Sequence, residues 1–276
     1  MTTRFRRHVL AERRAQRART LGRLFACVGA GFAAFSLALL VTGAAPSTME
    51  RAAARPLHAR IEIEPARPLA PDVDFNRFGE VWRGPTDRKV IALTFDDGPY
   101  PFYTPLLLHV LERSNVRATF FIVGRNAQEF PELVSRIVAA GDEVGNHTFN
   151  HYKLTYLSAE QIQRQIVECN AVLEPFIGHP LTLFRPPHGR YDRRVVSIAH
   201  DLGYHTIFWS DSPEDTKDIA PSLVVHRVLA EAAPGAIVLM HSGQYKTVVA
   251  LPVIIDRLRA RGYTFVTVGE MLSDPE

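Results

Sequence analysis

From residue 86 onward, short β-branched and aromatic runs alternate with stretches of helical period. The runs at 89–95, 116–123, 142–146, 181–185, 204–210, 235–241 and 263–268 predict strands. The stretches at 103–114, 127–140, 158–174, 193–202, 220–233 and 247–261 predict helices. Ser158 with Gln161 three residues on marks a helix start, and Gly141, Gly203 and Gly262 fall where helices should stop. Seven strands alternating with six helices predict an α/β fold with parallel strands. An open doubly wound sheet and a (β/α) barrel both fit this pattern, and no internal repeat is evident.

Upstream the pattern changes. Leu24–Ala45 is a run of 22 residues without a charge, long enough to cross a bilayer core as a helix. Residues 1–23 precede it with eight arginines and one glutamate. The positive-inside rule places that arm in the cytoplasm and everything after residue 45 outside it. A cleaved signal ending at Thr42-Gly43-Ala44 is the alternative. The long basic arm and long apolar run favour an uncleaved anchor, and either reading exports the remainder. Residues 46–85 are rich in Pro, Ala and Arg and read as a semi-extended tether. Its apolar Phe75, Phe78, Val81 and Trp82 are suited to packing on the domain at 86–276.

Composition adds one correction to a naive reading. The net charge of the 276-residue chain is +3, but residues 1–23 alone carry +7, so the rest carries −4. The basic balance therefore belongs to the arm and does not argue for a nucleic-acid partner. Two cysteines, Cys27 and Cys169, form no disulfide framework.

The candidate chemistry sits where predicted strands end. Asp96-Asp97 closes the apolar run Val90–Phe95, although adjacent carboxylates repel and lose hydration when enclosed. A metal or a cationic partner removes that cost. His147 and His151 follow the third strand, Arg185 to His188 the fourth, Asp211 and Asp215 the fifth, and His241 ends the sixth. In parallel α/β folds these ends converge on one face. The His147/His151 spacing lets both imidazoles face one metal from a helical turn or a turn-like loop, and a carboxylate would complete a three-ligand zinc site. In Arg185-Pro-Pro-His188 the prolines fix the backbone and free the His188 N–H to meet a ligand oxygen. Asp215 could orient His241 and raise its pKa, making it a proton donor.

Five segments in order resemble the polysaccharide deacetylase family, the NodB-homology or family 4 carbohydrate esterases. They are Thr-Phe-Asp-Asp-Gly-Pro (94–99), His-Thr-Phe-Asn-His (147–151), Arg-Pro-Pro-His-Gly (185–189), Trp209 to Asp215, and Leu-Met-His (239–241). The resemblance covers roughly 86–270 and implies a distorted (β/α) barrel with about seven parallel strands. It implies that Asp97, His147 and His151 bind a divalent metal, zinc first and cobalt second. It implies Asp96 as general base toward water, held by Arg185, with the His188 N–H stabilising the oxyanion. His241, oriented by Asp215, would protonate the departing amine, and Leu239 would line the acetyl pocket. The implied activity is metal-dependent removal of N-acetyl groups from amino sugars of an extracytoplasmic glycan: peptidoglycan, chitin-like oligosaccharide or exopolysaccharide. The implied location is the bacterial cytoplasmic membrane, single-pass, or secretion if the segment is cleaved. A catalytically silent carbohydrate-binding protein on the same fold, or a deacylase for another acyl group on a lipid-linked amino sugar, are the alternatives. Two positions depart from the family pattern. His188 replaces an aromatic residue, and Thr216 stands where a tryptophan is usual, which lets Asp211 compete with Asp215 for the orienting role.

Overall fold

The computed structural model describes residues 79–273. The basic arm, the candidate span 24–45 and most of the 46–85 segment lie outside the described residues. In chain order the elements are β1 (Glu80–Val81), β2 (Val90–Asp96), α1 (Tyr103–Arg113), β3 (Thr119–Ile122), α2 (Gly124–Glu129), α3 (Pro131–Ala139) and β4 (Glu143–Asn146). They continue with α4 (Ala159–Ile177), β5 (Leu183–Phe184), α5 (Arg193–Asp201), β6 (His205–Ile207), α6 (Pro221–Glu231), β7 (Ala236–His241), α7 (Tyr245–Ala260), β8 (Thr264–Phe265) and α8 (Val268–Leu272).

All pairings are parallel, in the order β1-β6-β5-β4-β3-β2-β7, with β8 added beside the start of β2. The sheet curls into a half-barrel. A single bridge, Asp211 to Val238, and the bond from Gly84 N–H to the Gly235 carbonyl connect its two flanks. All seven predicted strands are present. An eighth, β1, comes from the stretch read as tether, where Val81 is fully buried.

Two predicted elements differ. The helix expected at 127–140 is two helices, because Pro131 cannot donate into a preceding turn and instead opens a new helix. The strand expected to reach residue 268 stops at Phe265. Thr267 and Glu270 then form a reciprocal capping box that starts α8. The sequence pattern missed this because the capped turn is short and apolar like a strand.

Strand alternation sorts the core into two layers. On β2, Leu93 and Phe95 pack with Phe120, Ile137 and Ile166 beneath the helices. Ala92 faces the other way, with Phe121, Ile207, Ile237 and Met271, on the inside of the curl. Thr94 and Asp96 share the inner face with Ala92. The register then sets Asp96 opposite His241 on β7.

Candidate active site

The inner face at the C-terminal end of β2 is organised by a guanidinium. Arg185 is fully buried just after β5, where its N–H donates to the Asn146 carbonyl. Its Nη1 donates to Asp96 Oδ1 at 2.7 Å and to Thr94 Oγ1 at 2.8 Å. Nε and Nη2 donate to the carbonyls of Ile207 and Phe208 at 3.1 and 3.0 Å. The Phe121 ring lies 4.0 Å beneath it. Burial lowers the Arg185 pKa, against the raising effect of the Asp96 charge. A buried charge of this kind persists only when paired and hydrogen-bonded throughout. Asp96 thus offers one oxygen to Arg185, while its Oδ2 lies 3.7 Å from His147 Nε2.

Asp97 leaves the strand with a left-handed φ of 71°. Its Oδ1 lies 3.0 Å from His151 Nε2 and 3.4 Å from His147 Nε2. Burial raises the Asp97 pKa, yet hydrogen bonds and charge from His147 and His151 win and hold it well below the usual carboxylate range.

The two histidines sit on a loop, not a helical turn. Thr148 and His151 both adopt positive φ, 65° and 59°. The α4 helix holds this loop: Gln165 accepts the N–H of Phe149 through its backbone and that of Asn150 through Oε1. Buried Asn146 donates to the Ile166 carbonyl and accepts the Thr148 N–H. His147 Nδ1 lies 2.8 Å from the Arg185 carbonyl oxygen, which can only accept, so Nδ1 carries the proton. In the neutral ring, Nε2 then directs a lone pair at two carboxylates. Lone pairs in that arrangement repel unless a proton or cation lies between them. Nitrogen, nitrogen and oxygen donors within 4.8 Å of one another suit a divalent cation of the zinc type.

His241 ends β7 opposite Asp96. Its Nδ1 lies 2.7 Å from Asp215 Oδ1, and its backbone N–H donates to Asp215 Oδ2 at 2.8 Å. Thr247 donates to the same Oδ2 at 2.6 Å. Burial lowers the His241 pKa, but the hydrogen bond and charge of Asp215, with Asp96 and Asp97 behind, raise it to about 9. Leu239, 6% exposed, lies two residues before it on the same inner face.

Asp211 does not reach His241. It bridges to Val238, the β7 residue that faces the helices, and both its carboxylate oxygens are buried without a partner. Burial, then the Glu231 charge, raises its pKa to about 8. The contact with His241 therefore belongs to Asp215. His188 adopts a φ of 60°, and its ring packs against His151 with centroids 4.7 Å apart. The sequence pointed only to its backbone; the ring contact follows from the left-handed turn. Burial, then the charges of His151 and Lys153, lower its pKa. Sequence reasoning also missed Thr94, Asn146, Gln165 and Thr247. A polar residue inside an apolar run was the available signal for Thr94; none marked the others.

A family model described as polysaccharide deacetylase matches residues 83–207. A peptidoglycan-N-acetylglucosamine deacetylase of Bacillus cereus is 40% identical over 196 residues, 69% of this chain and 92% of that protein. Among solved structures, a peptidoglycan N-acetylglucosamine deacetylase in complex with 4-naphthalen-1-yl-N-oxidanyl-benzamide is similar at 33% identity and a TM-score of 0.69. That match covers 72% of this chain and 95% of that one. A CE4 family pseudoenzyme from Bacillus anthracis is similar at 34% identity and a TM-score of 0.68, covering 70% of this chain and 69% of that one.

Proposed function

Because the chain belongs to the polysaccharide deacetylase family, we propose that it removes N-acetyl groups from amino sugars of an extracytoplasmic glycan, releasing acetate. Peptidoglycan N-acetylglucosamine is the first substrate to test, since relatives named for that activity match most of this domain. One observation carries the reading: a proton acceptor at Asp96 and a proton donor at His241 stand opposite each other, beside the Asp97/His147/His151 cluster.

Asp97, His147 and His151 would hold a divalent cation, zinc in preference to cobalt. When bound, such a cation polarises the amide carbonyl and makes water acidic enough to attack near neutral pH. Asp96 takes the proton of the attacking water on Oδ2, while Arg185 fixes Oδ1. The His188 N–H donates to the oxyanion that forms on the acetyl carbonyl. His241, with Nδ1–H committed to Asp215, gives its Nε2 proton to the sugar nitrogen as the C–N bond breaks. A pKa near 9 keeps that proton in place at neutral pH. Acetate and a free amine leave, and the proton Asp96 gained returns to solvent. Leu239 lines the side where the acetyl methyl sits.

Residues 24–45 anchor the chain in the cytoplasmic membrane with the catalytic domain, from about residue 86, outside it. The uncharged run and the arginine arm support this. Among the described residues no helix is long and apolar enough to cross a membrane. Protease accessibility of the domain in intact spheroplasts tests the topology; a protected domain refutes it. The activity is tested by acetate release from acetylated chitooligosaccharides and by mass spectrometry of muropeptides with and without the protein. Tight zinc binding with no acetate from any substrate would support a silent carbohydrate-binding protein instead. Release of formate or a longer acid would assign another acyl group.

A further inference from the structure

The start of α2 touches both loops that carry the candidate ligands. Val123, the residue before it, donates its N–H to the Gly98 carbonyl at 3.0 Å, one residue beyond Asp97. Gly124 and Arg125 donate theirs to the carbonyls of Thr148 and Phe149 at 3.0 and 2.9 Å, inside the His147–His151 loop. The first N–H groups of a helix find no partner within it, so α2 directs them at its neighbours. The approach is close: a Cβ on Gly124 would stand 3.1 Å from the Cα of Cys169 and 3.2 Å from that of Phe149. Glycine lets the helix start lie that near the histidine loop.

Asn126 makes the fourth tie, with its side chain. Its Nδ2 donates to the Asp97 carbonyl at 2.8 Å, 29 residues back in the chain. A carbonyl oxygen only accepts, so the amide nitrogen is the atom that faces it. Nothing in a helix calls for an amide here, since alanine and leucine are better helix formers than asparagine. Asp97 is where a tie is needed. It is a non-glycine residue at a left-handed φ of 71°, a conformation that persists only when its surroundings hold it. Thr148 and His151, on the other loop, share that conformation.

We propose that Asn126 is a positioning residue for the cation. By holding the Asp97 carbonyl it fixes the turn from which Asp97 Oδ1 comes within 3.0 Å of His151 Nε2 and 3.4 Å of His147 Nε2. Asn126 acts through Asp97, not as a ligand. A ligand already held in place loses less freedom when the cation arrives. Partners of this outer kind set roughly 10–100-fold of metal affinity. The proposal rests on the cation reading of the Asp97/His147/His151 cluster, and its test separates the two.

Zinc Kd is measured by competition with a chromophoric chelator, on the purified full chain in detergent. The proteins compared are the parent, Asn126→Ala, Asn126→Leu and Gln128→Ala. Gln128 is exposed on the same helix. Both Asn126 variants lack the donor yet favour the helix, so a role in folding α2 alone predicts no loss in either. Zinc Kd is expected to rise roughly 10–100-fold in both and to stay within about twofold in Gln128→Ala. The visible absorption of cobalt at saturation should also change in Asn126→Ala, because the ligand geometry changes. A Kd within about twofold of the parent's in the Asn126 variants overturns the proposal. So does an unchanged cobalt spectrum, and so does an equal loss in Gln128→Ala, which assigns the effect to the helix as a whole. If Asn126→Ala fails to fold, Asn126→Leu decides by the same two measurements. If the parent binds neither metal, the cation reading fails and the positioning role fails with it. If the parent binds zinc but releases no acetate, the deacetylase reading fails alone, and the zinc comparison still judges Asn126.

Discussion

Two pairs of adjacent acids stand at opposite ends of parallel strands. Asp96-Asp97 closes β2 at the mouth of the half-barrel, and Asp142-Glu143 opens β4 at its base. The mouth pair is answered by a guanidinium and two imidazoles. The base pair is answered by neutral donors: Ala118 N–H to Asp142, and Thr119 Oγ1 with Gly269 N–H to Glu143. Burial accordingly raises the Asp142 pKa to about 7 and raises that of Glu143. A cavity of about 520 Å³ opens beside the base pair. Carboxylate adjacency alone does not separate the two ends, and the presence of a cavity would have pointed to the base. The partners decide: imidazole lone pairs suit a cation, whereas backbone N–H groups only anchor strands and cap α8.

The sharpest way to break this contrast is at Asp96. Asp96→Asn should lower acetate release by about 10²–10⁴-fold, as loss of a general base does, while zinc content by elemental analysis stays stoichiometric. Glu143→Gln at the base should leave turnover within about twofold, since nothing there meets the reacting atoms. A near-parental rate for Asp96→Asn removes that residue from the base role. His147→Ala should leave purified protein with far less than one zinc per chain; unchanged zinc content removes His147 from the ligand set.

A subtler test uses pH. With His241 protonated up to about pH 9, the alkaline limb of kcat/KM should fall near that value. Asp215→Asn removes the main raising influence and leaves burial, so the limb should move toward acid. A limb that stays in place assigns it to another group. The smallest effect concerns Asp211. Its folded pKa of about 8 lies above the ~3.9 of an unfolded aspartate. Its contribution to stability is therefore fully present below ~3.9 and is lost as pH rises through about 8. Asp142 adds the same trend up to about pH 7. Asp211→Asn should raise stability at pH 8 by about 1–3 kcal/mol and flatten part of that slope. Equal urea midpoints for the two proteins across pH 5–8.5 would count against a buried neutral carboxyl.

Much of this was legible in the sequence, for identifiable reasons. Asp97, His147 and His151 converge because strand ends in a parallel sheet converge, and the strands were marked by their apolar runs. Arg185 with Asp96, and Asp215 with His241, meet as the family resemblance implied. Asp211 and Asp215 could not be separated by spacing, because one faces the helices and the other the inner side, and the bend between them has no periodic signature. Asn146, Gln165 and Thr247 act through contacts 2 to 32 residues away in the chain, visible only once α4 and α7 are packed. The β1 strand was hidden in proline-rich sequence, since two residues are too few to show alternation.

The pairing of Asp96 with His241 across neighbouring ladder positions has an evolutionary corollary. Under the proposed reaction, the proton acceptor and donor are fixed by main-chain geometry at the ends of β2 and β7, whereas the surfaces that would meet a glycan belong to excursions beyond those strands. Insertions, deletions and side-chain swaps in the excursions can retune what is bound without moving the acceptor or the donor. Such a scaffold is free to drift between polymers while its reaction stays constant.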